Sequence, residues 1–116
     1  MSYDLRVAIK TTSGEYADVN WPERYSPTYN LGEMFTACTG WDFEQSKYYN
    51  AEKVEPLILH GIRELVIHED DYRQYDAPNG WGTTETALKD LMSLYKCIHE
   101  TSEERDVPLN ELWVSW

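Results

Sequence analysis

Three histidines, two cysteines and twenty-one acidic side chains are the groups in this chain that could carry chemistry. His60, Glu64 and His68 stand at i, i+4 and i+8, so one helix face can present two imidazoles and a carboxylate, ligand types that suit zinc or iron. The two imidazoles would lie about 12 Å apart along an ideal helix, too far for one ion bound at roughly 2 Å. A metal-hydrolase helix sets its histidines at i and i+4 instead. The spacing therefore favours a solvated helix face, and no metal or cofactor is expected. Cys38 falls on an apolar stripe with no local histidine. Cys97 and His99 are two residues apart, and such neighbours on a helix do not face each other. Both thiols read as buried, reduced and structural.

The acidic groups cluster twice, in "HEDDY" (Glu69, Asp70, Asp71) and in "ETSEERD" (Glu100, Glu103, Glu104, Asp106). Acid–base catalysis by paired carboxylates needs burial to shift a pKa, whereas charge runs at helix ends are mostly solvated. As a surface, Glu69, Asp70, Asp71, Glu103 and Glu104 could compete for the basic groove of another protein. A third candidate is "APNGWG", Ala77–Gly82. A phosphate loop needs glycine amides converging on an anion at a helix N-terminus. Here two glycines are followed by no lysine and preceded by no strand, so neither nucleotide-binding pattern is met. Asn-Gly instead suits helix termination, because both residues tolerate positive φ, with Trp81 anchoring the turn.

The elements that must position these groups follow from periodicity. Tyr3, Leu5, Val7 and Ile9 alternate with Asp4, Arg6, Ala8 and Lys10, the pattern of a strand with one buried face. "TTSGE" is a turn, and "EYADV" is a return strand. Leu31, Met34, Phe35 and Cys38 form the inner stripe of a short helix, capped by Thr28 or Asn30 and stopped by Gly40. "WDFEQSKYY" reads as an ordered aromatic loop. Asn50 can cap a second helix, but Pro56 places its main start near Val54 or Glu55; its stripe is Leu57, Ile58, Gly61, Ile62 and Leu65. The strongest helix starts at Thr83 or Thr84 and turns Ala87, Leu88, Leu91, Leu94, Tyr95 and Ile98 inward. "TSEERDVP" closes it as a charged loop, and "LNELWVSW" ends in a strand that pairs with the first. The fold class is α+β: a small antiparallel sheet, made of an N-terminal hairpin plus a C-terminal strand, packed against about three helices.

At 116 residues the chain is one domain, 1–116, that buries about two-thirds of its surface on folding. A net charge of −11 repels a phosphate backbone, so direct nucleic-acid binding is not expected. No apolar run reaches the roughly 18 residues of a membrane span, and "MSYDLRVAIK" lacks a signal sequence. A cytoplasmic setting follows. Five tryptophans and nine tyrosines are many for so short a chain; such rings fill cores and are also enriched at binding surfaces, so some are expected to be only half buried.

"SPTYNLGEMF" (Ser26 to Phe35), "VEPLILHGIREL" and "APNGWGTTETALKDL" (Ala77 to Leu91) together resemble a group of small bacterial and phage proteins of no known activity, over residues 26–98. The resemblance carries over no activity, cofactor or catalytic residue. It implies that Tyr29, Asn30, Asn79, Gly80, Trp81 and Gly82 belong to one local construction. These residues either cap and pack neighbouring helices or line a ligand pocket made by Tyr29, Asn30, Asn79 and Trp81.

The functional expectation is a non-enzymatic acidic binding protein that acts through a protein partner, a basic one being its natural complement. An inhibitor or immunity-type protein of bacterial or phage origin has this size and charge. The alternatives are a small-ligand binder or enzyme using the Tyr29/Asn30 pocket, and a self-associating subunit joined through "LWVSW". A buried Trp81 predicts that Trp81→Ala lowers unfolding stability by about 3–5 kcal/mol in chemical denaturation. An unchanged melting temperature would place that ring at the surface.

Overall fold

The computed structural model describes residues 3–42, 44, 46–78, 80 and 82–116, with Tyr29 described through its backbone alone. Strands β1 (Arg6–Lys10) and β2 (Tyr16–Asn20) form the expected hairpin. Its turn closes when the Thr11 amide donates to the Glu15 carbonyl at 2.7 Å, and Gly14 supplies the positive φ of 87° that the turn requires. Strand β4 (Leu112–Ser115) lies antiparallel to the other side of β1, with Val7 opposite Val114. Leu5, Val7, Leu112 and Val114 therefore share the buried face, as the alternation demanded.

Strand β3 (Tyr48–Asn50) departs from the expected loop. It pairs antiparallel with β4, Tyr49 opposite Val114, giving the order β2-β1-β4-β3. Three residues are too few to show a period, and the strand exists because β4 offers it a partner. The "LWVSW" strand thus has neighbours on both sides, and no open edge of β4 remains for joining a second copy.

The helices cover one face of the sheet. Helix α1 (Gly32–Thr39) follows a 3-10 turn at Tyr29–Leu31 and stops where Gly40 turns left-handed at φ 72°. Its N-cap is Leu31, with no side-chain cap bond; Thr28 acts one step earlier, its carbonyl accepting from the Leu31 amide. Helix α2 (Ala51–Ile67) begins directly after Asn50, whose side chain accepts from the Glu52 amide at 3.1 Å. The later start inferred from Pro56 is incorrect. Proline at the sixth helical position forfeits one backbone bond, but Ala51 and Val54 are buried ahead of it and hold the first turns.

A single turn, α3 (Glu69–Tyr72), and a 3-10 turn at Arg73–Tyr75 follow as separate pieces. Helix α4 (Thr84–Arg105) starts at the Thr83 N-cap, where Thr83 and Thr86 bond reciprocally. It runs through Thr101–Arg105, the segment expected as a loop. Thr101 is buried there, its hydroxyl bonded to the Cys97 carbonyl, and that anchors the final turn.

The core between sheet and helices is aromatic. The Trp116 ring stacks on Trp41 at 4.6 Å and on Phe35 at 5.1 Å, and Trp41 meets the edge of Tyr49. Helices α1, α2 and α4 converge at Gly61, where an added Cβ would lie 2.6 Å from Thr39 Cγ2 and 3.1 Å from Leu91 Cδ1. Thr39 cannot turn away, since its hydroxyl donates to the Phe35 carbonyl and accepts from the Trp41 amide. Gly61→Ala should therefore destabilise the domain by about 1–2 kcal/mol in urea unfolding, overpacking outweighing the better helix propensity of alanine. A variant as stable as the parent would mean that the helices have room to separate.

Candidate functional site along the open edge of the sheet

Because β4 occupies one side of β1, β2 is left as an outer strand. The chain continues that edge in two steps. After Asn20 it swings toward α4: Asn20 Nδ2 donates to Thr101 Oγ1 at 2.9 Å, the Arg24 amide to Ser93 Oγ at 3.0 Å, and Arg24 Nε to Asp90 Oδ1 at 2.6 Å. It then returns to the sheet line. The Tyr25 carbonyl accepts from the Leu5 amide at 2.7 Å and the Pro27 carbonyl from the Tyr3 amide at 2.8 Å, prolonging the pairing beside β1.

Large rings stand open along this edge: Tyr16 is 37% exposed, Trp21 52% and Tyr25 54%. Glu15, Asp18 and Glu23 punctuate the same stretch and are exposed. Among the described residues no cation lies within ion-pair distance of Glu15 or Glu23, and Arg24, the one cation of the stretch, is engaged with Asp90. The edge is aromatic and acidic.

The uncovered face of the sheet adjoins it. Tyr16 stacks on Tyr48 at 4.2 Å and 7°, and both roof over the fully buried Ala8 and Ser115. The Tyr48 hydroxyl donates to Asp18 Oδ1 at 2.8 Å, and Lys10 Nζ lies 5.2 Å from the Trp113 ring and 5.5 Å from Tyr16. This roof fixes the Tyr16 ring where the edge begins, so little conformational freedom is left to lose when a partner meets it.

Asp90 anchors the other end. It is buried on α4, and its Oδ2 has no hydrogen-bond partner among the described residues. Burial pushes its carboxyl above the usual range, with the Arg24 bond and charge pulling the other way. A raised folded pKa favours folding below the unfolded carboxyl value, about 3.9, and that contribution fades as pH climbs through the folded value. Comparing stability from about pH 3 to 7, the parent should lose ground relative to Asp90→Asn as pH rises; parallel curves would show that Asp90 titrates normally.

The residues singled out from sequence are distributed differently. The Tyr29 side chain, Asn79 and Trp81 lie outside the described residues. Asn30 does meet the turn: a Cβ on Gly82 would touch Leu31 Cδ2 at 3.1 Å and Asn30 Cβ at 3.4 Å, so the turn and the start of α1 pack together. The phosphate question is answered at the N-terminus of α4. There the Thr84 amide donates to Asp76 Oδ1 at 2.9 Å and the Thr86 amide to Thr83 Oγ1. A carboxylate already stands where an anion would bind.

The two acidic clusters sit at opposite ends of α4. Glu69 accepts from Thr84 Oγ1, whereas Glu103 and Glu104 lie about 28 Å away along the helix. Glu69 and Asp70 both take Arg73, at 2.6 and 2.9 Å, which neutralises part of the first cluster; Asp71, Glu103 and Glu104 remain exposed. Glu64 accepts from the Tyr72 hydroxyl at 2.9 Å, with His68 Nε2 at 3.8 Å and His60 exposed one turn away. Among the described residues, no three His, Cys, Asp or Glu side chains come close enough to hold a metal. Cys38 and Cys97 are both buried, and burial pushes their thiols to about 12 and about 11, far from a reactive thiolate.

A groove of about 490 Å³ runs along the outer side of α2 past Glu55, Leu59, His60, Arg63 and Ile67. Glu55 there lies 3.2 Å from His99. Among the described residues no helix is long and apolar enough to cross a membrane. Compared with protein-family models, with curated proteins and with solved structures, the chain matches none.

Tyr16, Trp21, Tyr25, Glu15 and Glu23 were not singled out from sequence. The signal was present in "EYADVNWPERY", where aromatic and acidic residues alternate and only one basic residue occurs.

Proposed function

We propose that this domain works without catalysis, by docking a basic protein partner along the free edge formed by β2 and residues 21–25. One observation carries the reading. Tyr16, Trp21 and Tyr25 are held open on β2 and the segment that follows it, among the exposed carboxylates of Glu15, Asp18 and Glu23, on backbone pinned to both the sheet and α4. Exposed Tyr and Trp on a rigid support are the residues that concentrate binding energy, and surrounding charge sets the encounter rate and the choice of partner. A small acidic inhibitor or immunity-type protein of bacterial or phage origin would use such a surface against the basic groove of its target; the "SPTYNLGEMF" and "APNGWGTTETALKDL" segments resemble small bacterial and phage proteins without adding an activity to this reading.

The edge outranks the two acidic clusters as the docking surface. Charge without apolar contact gives weak, salt-sensitive association, and at Glu69 and Asp70 much of the charge is already spent on Arg73. Trp21→Ala with Tyr25→Ala should abolish stoichiometric co-purification of the partner from cells that express the chain. The melting temperature should stay within about 3 °C, because both rings are at the surface. Loss of the partner in Glu103→Lys with Glu104→Lys, and not in the double aromatic variant, would move the site to the end of α4.

A further inference from the structure

We infer that the partner contributes an extended, lysine- or arginine-bearing segment that adds to β2 as a fifth strand; this rests on the edge being the docking surface. Three features point to strand addition over side-chain contact alone. First, β2 is a five-residue strand with a neighbour on one side, so a row of its backbone donors and acceptors faces outward. Second, the segment that could have covered the row is drawn aside. Residues 20–24 are tied to Thr101, Ser93 and Asp90 on α4, at the helical face of the sheet, and do not fold across β2. Third, side chains flanking the row are matched to a strand of alternating type. Tyr16 and Asp18 project to the outer face, where Tyr16 lies in the Tyr48–Trp113 cluster. An incoming strand would set every second side chain beside that cluster.

The charge of the edge selects the occupant. Glu15 and Glu23 bracket the strand with no cation within ion-pair distance among the described residues, and Asp18 lies between them. Among the described residues, Asp18 meets Arg6 at 4.0 Å and accepts from the Tyr48 hydroxyl. A strand carrying basic residues satisfies this row, and an acidic strand is repelled by it.

The experiment uses the full chain labelled with nitrogen-15 and three synthetic octapeptides: alternating Lys-Val, alternating Lys-Pro and alternating Glu-Val. With the Lys-Val peptide at low salt, amides within Tyr16–Asn20 should show at least tenfold slower hydrogen exchange, and binding should weaken at least tenfold in Glu15→Lys with Glu23→Lys. These exposed reversals leave the fold intact, which the unchanged spectrum of α2 and α4 checks. The Lys-Pro peptide, with φ fixed at about −65° at every second residue and one of its two possible registers stripped of donors, fits the ladder poorly and should protect the strand several-fold less than Lys-Val. Equal shifts with Lys-Pro and no protection with Lys-Val overturn strand addition while leaving the edge as a basic-partner surface. Shifts confined to Glu69–Asp71 or to Glu103 and Glu104, a stronger response to Glu-Val, or no response to either basic peptide overturn both readings.

Discussion

The pairing of β1 with β4 is the constraint on which the remaining architecture depends. It joins Arg6–Lys10 to Leu112–Ser115 across nearly the whole sequence, and it sets Val7 against Val114 so that both inner faces point at the helices. Once β4 takes that side of β1, β3 joins the outer flank of β4, and β2 is left at the opposite edge. The aromatic stack of Trp41, Phe35 and Trp116 then locks α1 onto the same registry, because Trp116 continues the inward row of β4. Such a distant pairing is slow to find by chain diffusion, while the β1–β2 hairpin and α4 form from local contacts. A free β2 edge follows from this order of connections.

Much of the scaffold was legible because long periodic segments declare themselves. The alternation of β1, the Leu31–Cys38 stripe and the Thr83 cap each have a local cause visible in a few residues. What was not legible had a tertiary cause. Tyr48–Asn50 is a strand only because β4 lies beside it, and α2 runs through Pro56 because Ala51, Val54 and Ile58 are already buried on one face. Thr101–Arg105 reads as charged and loop-like, yet Thr101 packs inward and accepts a bond from Asn20 on β2. Of the site, the aromatic surplus and the acidity were readable. Their coincidence on one edge was not, since it depends on β4 taking the other side of β1 and on Arg24 reaching the buried Asp90.

The distribution of charge bears on how an open strand edge can resist pairing with a second copy of itself. On the helices, several acids are partly offset by cations of the same helix or its adjoining turn, as in Glu85–Lys89, Lys96–Glu100 and Glu69–Arg73. Exposed pairs of this kind contribute only a few tenths of a kcal/mol each, so their effect is to smooth the local field. Among the described residues, the row Glu15, Asp18 and Glu23 has one cation within ion-pair distance, Arg6 at 4.0 Å from Asp18. An uncovered strand ordinarily invites a second copy of itself. Here two β2 edges brought side by side would place like charges along the same seam, and each would lack the cation the other needs. The carboxylates that would repel a second copy are those the proposed basic strand would neutralise, so on that proposal one set of side chains both opposes self-pairing and selects the partner.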